Sequence, residues 1–137
     1  MSDPSRRRGV GRRRVWLAAA VAWTFAGTVA LMLPGDAVPH GLVSSLDDAA
    51  HAILFATGVL LWAFALPRWT WTVGLVAVAL AVGSEWAQAN LAEDRGAQWS
   101  DVGSNVIGIA VALAIAVPAN AAWRYANRRR MTSTGRR

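Results

Sequence analysis

Cysteine is absent from the 137-residue sequence, so disulfides, thiolate nucleophiles and sulfur-ligated metals are excluded. Lysine is absent too, and all 14 basic residues are arginine, set against 8 acids for a net charge of +6. Basic charge is scarce in the middle of the chain. Six arginines fall within residues 1–14 and six within residues 124–137, leaving only Arg68 and Arg95 between them. Basic clusters flanking an apolar body read as membrane anchors, and neither an aromatic platform nor a basic groove suggests a nucleic-acid partner. Internal repeats are missing, as is any HExxH-type spacing.

What remains is hydrocarbon. Hydrophobic residues make up 55% of the chain and the mean hydropathy is +0.32, high for a soluble protein of this size. Four apolar stretches, about 15–33, 46–66, 69–91 and 101–123, are each long enough to cross a bilayer as a helix. The expected fold is all-α: a polytopic membrane protein whose four transmembrane helices form a small antiparallel bundle. Residues 1–14 and 124–137 are then basic tails around a membrane domain spanning 15–123. A cleaved signal peptide is the competing reading of the first stretch, with Arg13 and Arg14 ahead of Trp16. Its 19 uncharged residues exceed a signal-peptide core, and further spans follow.

Four spans return both termini to one side, which the arginine clusters make cytoplasmic, with Arg68 at the same side. Trp16, Trp69, Trp71 and Trp123 fall at the inner interface and Trp86 and Trp99 near the outer one. Ala18, Ala22, Ala26 and Ala30 form a small-residue stripe suited to close packing of the first span, as do Gly74, Gly83 and Ala87 on the third. Gly108 and Ala112 make a small-xxx-small pair on the fourth. Ser100 is the expected cap of that last helix, and Pro118 is expected to kink its final turns. Trp23 and Trp62 read as packing residues.

Few ionisable residues interrupt the spans, and they fall at one depth. Counted at 1.5 Å per residue from the inner ends, His51 lies roughly 22 Å up, Glu85 roughly 24 Å and Asn105 roughly 27 Å, with Asp101 one turn higher. Residues three or four apart share a helix face, and Asp47 with His51, Glu85 with Gln88, and Asp101 with Asn105 have that spacing. Facing lipid, each group would cost up to roughly 2.5–3.5 kcal/mol at the bilayer centre; turned inward, they satisfy one another. The expected polar cluster is therefore Asp47, His51, Glu85, Gln88, Arg95, Asp101 and Asn105, open to the outer face. Within it His51, Glu85 and Asp101 are the candidates for acid–base chemistry, with Asp47 orienting the imidazole and Arg95 neutralising a carboxylate. No cofactor is expected from the sequence. A divalent cation on Asp47, His51, Glu85 and Asp101 is the weaker reading of the same residues. Asp48 reads as a helix-start charge suited to the helix dipole.

The order Asp47-x-x-x-His51-x-x-x-Phe55-x-x-Gly58, Glu85-x-x-Gln88 and Arg95-x-x-x-x-Ser100-Asp101-x-x-x-Asn105-x-x-Gly108 resembles the VanZ-like family of bacterial membrane proteins. The resemblance covers roughly residues 40–115; where the family usually has a lysine after the first aspartate, this sequence has Asp48. It implies a multi-pass protein of the bacterial plasma (inner) membrane, whose namesake is associated with reduced sensitivity to the glycopeptide teicoplanin. Three functions compete. The first is a cell-envelope module whose outward pocket binds a lipid-linked or cell-wall ligand. The second is a membrane-embedded acid–base enzyme acting on an envelope lipid. The third, a proton or ion carrier, lacks a charged residue at mid-bilayer depth. The implied partners are the lipid bilayer and an envelope lipid or cell-wall precursor, not nucleic acid.

Overall fold

The computed structural model describes residues 4–32, 44–91 and 99–134, all helical apart from the turn around Pro67. The elements are α1 (Pro4–Met32), α2 (Ser44–Ala65), α3 (Thr70–Leu91) and α4 (Trp99–Thr134). They form a four-helix bundle, and each contains a segment long and apolar enough to span a membrane. The outer helices overrun their expected spans: α1 begins at Pro4 rather than Val15, and α4 continues well past Trp123. Thirty-six residues of α-helix extend about 54 Å, so hydrocarbon thickness does not set the length of α4. Helices α1 and α4 thus continue into the arginine-rich segments as far as the described residues reach. Helix α4 passes through Pro118 without a break.

The connection between α2 and α3 is tight because only residues 66–69 separate the two helices and Leu66 bonds in both directions. Leu66 donates its amide to the Trp62 carbonyl at 2.8 Å, and its own carbonyl accepts the Trp69 amide at 2.8 Å. Asn120 of α4 clamps the turn, its Nδ2 donating to the Ala63 carbonyl and to Thr70 Oγ1, each at 3.0 Å. Arg124 adds a 2.7 Å bond from its guanidinium to the Pro67 carbonyl. Near the other end of the same helices, Gly108 abuts the backbone of Ala52 so closely that a β-carbon there would collide with the Ala52 carbonyl. Ala52 pairs with Gly108 and Ala63 with Asn120, so α2 and α4 run in the same direction and pack along their length.

Helices α1 and α3 run opposite to them. Helix α1 lies on α2, where Trp23 donates its indole N–H to the Leu54 carbonyl at 3.0 Å and sits over Gly58, while Gly27 meets Leu54. Trp62 donates to Thr24 Oγ1 at 3.0 Å, and Trp16 packs on Phe64. These contacts correct two expectations. Trp23 and Trp62 are hydrogen-bonding residues as well as packing ones, because an indole N–H in an apolar layer needs an acceptor. The stripe Ala18, Ala22, Ala26 and Ala30 is exposed, and α1 instead presents Ala20, Trp23 and Gly27 to α2. Spacing alone cannot say which small-residue face packs when two are available. On α3, Gly74 meets Leu113, whereas Gly83 has open space.

The interior is built of small residues. Ala77, Ala81 and Ala112 join Val59 and Ile109 in the core, while Phe25, Leu75, Trp71, Trp86 and Ile107 lie largely exposed. Such an inside-out distribution suits hydrocarbon surroundings, where large apolar side chains gain nothing by leaving the surface and small ones let backbones approach.

Two outcomes follow for thermal unfolding of the detergent-solubilised protein. Gly108→Leu should destabilise it by about 3 kcal/mol, the upper end for overpacking, because the obstacle is backbone. Gly83→Ala should leave the melting temperature unchanged or slightly raised.

Candidate functional site

Three helices deliver ionisable groups to the end of the bundle where α2 and α4 begin. His51 lies two turns into α2, Glu85 near the end of α3 and Asp101 in the first turn of α4. Their exposures are 7%, 5% and 6%, so none is in contact with bulk solvent to any extent. One ligand-capable atom from each lies within 4.8 Å of the others. The level predicted from residue counting holds because α2 and α4 are pinned at Ala52, the residue after His51, and at Gly108, two turns below Asp101. Side chains on a helix lean toward its N-terminus, so His51 and Asp101 both reach toward the same end of the bundle.

Asn105 stands one turn below Asp101 and three residues above Gly108, on the face of α4 that meets α2. It is completely buried, and it is the largest fully buried side chain among the described residues. Neither Oδ1 nor Nδ2 of this amide has a hydrogen-bond partner among the described residues. A buried amide without partners costs roughly 1–3 kcal/mol by protein mutational measures, so its position calls for a group that would satisfy it.

The remaining expected members are placed less fully. Asp47 lies in the first turn of α2 and Gln88 in α3, with both side chains outside the described residues, as is the whole of Arg95. Asp48 is half-buried. Ser100 falls inside α4, which starts at Trp99, so the capping position lies outside the described residues; the serine hydroxyl instead stands 3.4 Å from Asp101 Oδ1. The network around Asn120 was not anticipated from the sequence. Its signal was present, since an asparagine in an apolar helix needs a partner, but the partners are a backbone carbonyl and a threonine on two other helices.

An apolar groove runs between α1 and α3 with α2 as its floor, walled by Trp23, Gly27, Gly58, Trp62, Leu80 and Ser84. None of His51, Glu85, Asp101 and Asn105 lines it, but it ends at Ser84, one residue before Glu85. No protein-family model, curated protein or solved structure matches the chain.

The two asparagines make opposite predictions in the absence of added ligand. Asn120→Leu should lower stability by about 1–2 kcal/mol through loss of two interhelical bonds, whereas Asn105→Leu should be neutral or stabilising. Thermal unfolding of both purified variants beside the wild-type chain checks the contrast.

Proposed function

We propose that the chain is a VanZ-like cell-envelope protein whose buried His51, Glu85, Asp101 and Asn105 bind the polar part of a lipid-linked or cell-wall ligand. The observation that carries this reading is the convergence of three ionisable groups beside a buried amide that has no partner among the described residues. A purely structural cluster would be expected to satisfy every member, as Asn120 is satisfied at the opposite end. Arg12 beside Trp123, the Pro67 turn and Arg124 share that opposite end, and basic residues favour the cytoplasmic side. The site then opens toward the external leaflet of a bacterial plasma membrane, where envelope lipids and wall precursors are presented. The adjoining apolar groove suits the hydrocarbon chain of such a ligand, with its head turned toward Glu85.

A second reading, a membrane-embedded acid–base enzyme, is favoured by an imidazole and two carboxylates within 4.8 Å. On that reading the same pocket binds an envelope lipid and moves a proton on it. Resemblance ties either reading to glycopeptide susceptibility.

Expression in a teicoplanin-sensitive bacterium should raise the drug concentration needed to stop growth. His51→Gln and Glu85→Gln should each return it to the level of cells lacking the protein, with undiminished protein in the membrane fraction. Inserted, folded variants that protect as well as the wild type would sink the proposal. Liposomes carrying the protein should show no flux driven by a pH gradient, as expected of a binding module rather than a carrier.

A further inference from the structure

We propose that His51, Glu85, Asp101 and Asn105 together form a binding site for a first-row divalent cation, of the Mn2+ or Zn2+ class. Three donors converge, an imidazole nitrogen and two carboxylates from α2, α3 and α4, and the buried Asn105 amide stands one turn along α4 from Asp101 on the same face. Ligand atoms around a cation at about 2.1 Å stand about 3.4 Å apart in a tetrahedron and up to about 4.2 Å across an octahedron. The atoms of His51, Glu85 and Asp101 lie within 4.8 Å of one another, close to that span. The Asn105 amide is the independent pointer. Fully buried and without a partner among the described residues, it gains one for Oδ1 when a cation arrives.

The chemistry of the donors selects the ion. The chain contains no cysteine, so soft ions held by thiolates are disfavoured. An imidazole among oxygen donors favours Mn2+ or Zn2+ over Mg2+ and Ca2+, which prefer oxygen alone. Charge supports the same ion class, because two carboxylates brought close together in a low-dielectric layer attract a divalent cation. Four protein donors leave Mn2+ with two open positions in an octahedron, and Zn2+ with room for a fifth ligand.

This part of the inference rests on the ligand-binding reading given above and sharpens it. A pocket holding two carboxylates is a poor receptor for an anion, whereas a cation with open positions binds phosphate or carboxylate oxygen directly. The ligand class becomes a lipid-linked phosphate, met at its head by the cation.

The test uses the full chain in lipid nanodiscs after treatment with a chelator. Titration with Mn2+, followed by electron paramagnetic resonance, should show one site per chain. His51→Gln, Glu85→Gln, Asp101→Asn and Asn105→Leu should each weaken it by about 100-fold or more, since even outer-shell changes at metal sites cost about 10–100-fold. The wild-type spectrum should also carry nitrogen modulation from a bound imidazole, retained in His40→Gln, which removes the other of the two histidines. That measurement needs no variant of the site itself to fold. Absence of a saturable site below about 1 mM, or modulation lost with His40 instead of His51, overturns the cation site. A polyprenyl phosphate in the same nanodiscs separates the two proposals. Binding that depends on both Mn2+ and His51 supports both. Binding that depends on His51 but not on Mn2+ overturns the cation and leaves the ligand reading standing. One Mn2+ per chain with no effect on the lipid overturns the ligand reading and leaves the cation site.

Discussion

At Gly108 the backbone of α4 rests against the backbone of α2 at Ala52, and the nearness of Asp101 and Asn105 to His51 follows from this approach. A β-carbon would hold the helices apart, and Asp101 and Asn105 would then stand away from His51. Backbone contact is available only where one partner lacks a side chain, and in hydrocarbon it is also what holds helices together. No hydrophobic driving force distinguishes a leucine buried in protein from one in lipid, so association relies on close packing and interhelical hydrogen bonds.

The bundle uses both means, but at different levels. Small residues, Ala77, Ala81 and Ala112 with Val59 and Ile109, fill its middle. Polar residues sit toward the ends. At one, Asn120 and Arg124 tie α4 to the α2–α3 turn through Ala63, Pro67 and Thr70. At the other, His51, Glu85, Asp101 and Asn105 are held equally deep, yet the asparagine amide has no partner among the described residues. The same residue type thus plays two roles in one helix, separated by four turns. Asn120 joins elements together, and Asn105 is a buried polar group that no described residue satisfies.

Much of this was legible in order along the chain. Four apolar runs bounded by arginine gave the number and approximate position of the helices, because crossing hydrocarbon demands about 20 apolar residues and a self-satisfied backbone. Counting residues at a fixed rise gave His51 and Glu85 a common depth, and Gly108 with Ala112 marked the packing face of α4. Other features were not readable. The alanine stripe of α1 has the right spacing but points outward, while Trp23 and Trp62 use their ring nitrogens across the α1–α2 contact. The clamp at Asn120 joins residues 50 and 57 positions apart.

The sequence by itself determined the solvent and the ladder of depths: apolar length, arginine at the ends, and polar residues at fixed heights on rigid helices. Both are properties of single helices, fixed by composition and by a constant rise per residue. Tertiary structure alone decided rotation: which face of each helix turns inward, that α2 and α4 touch along their length while α1 packs mainly on α2, and which asparagine finds partners among the described residues. Rotation depends on how two surfaces fit, and one helix carries only half of that information.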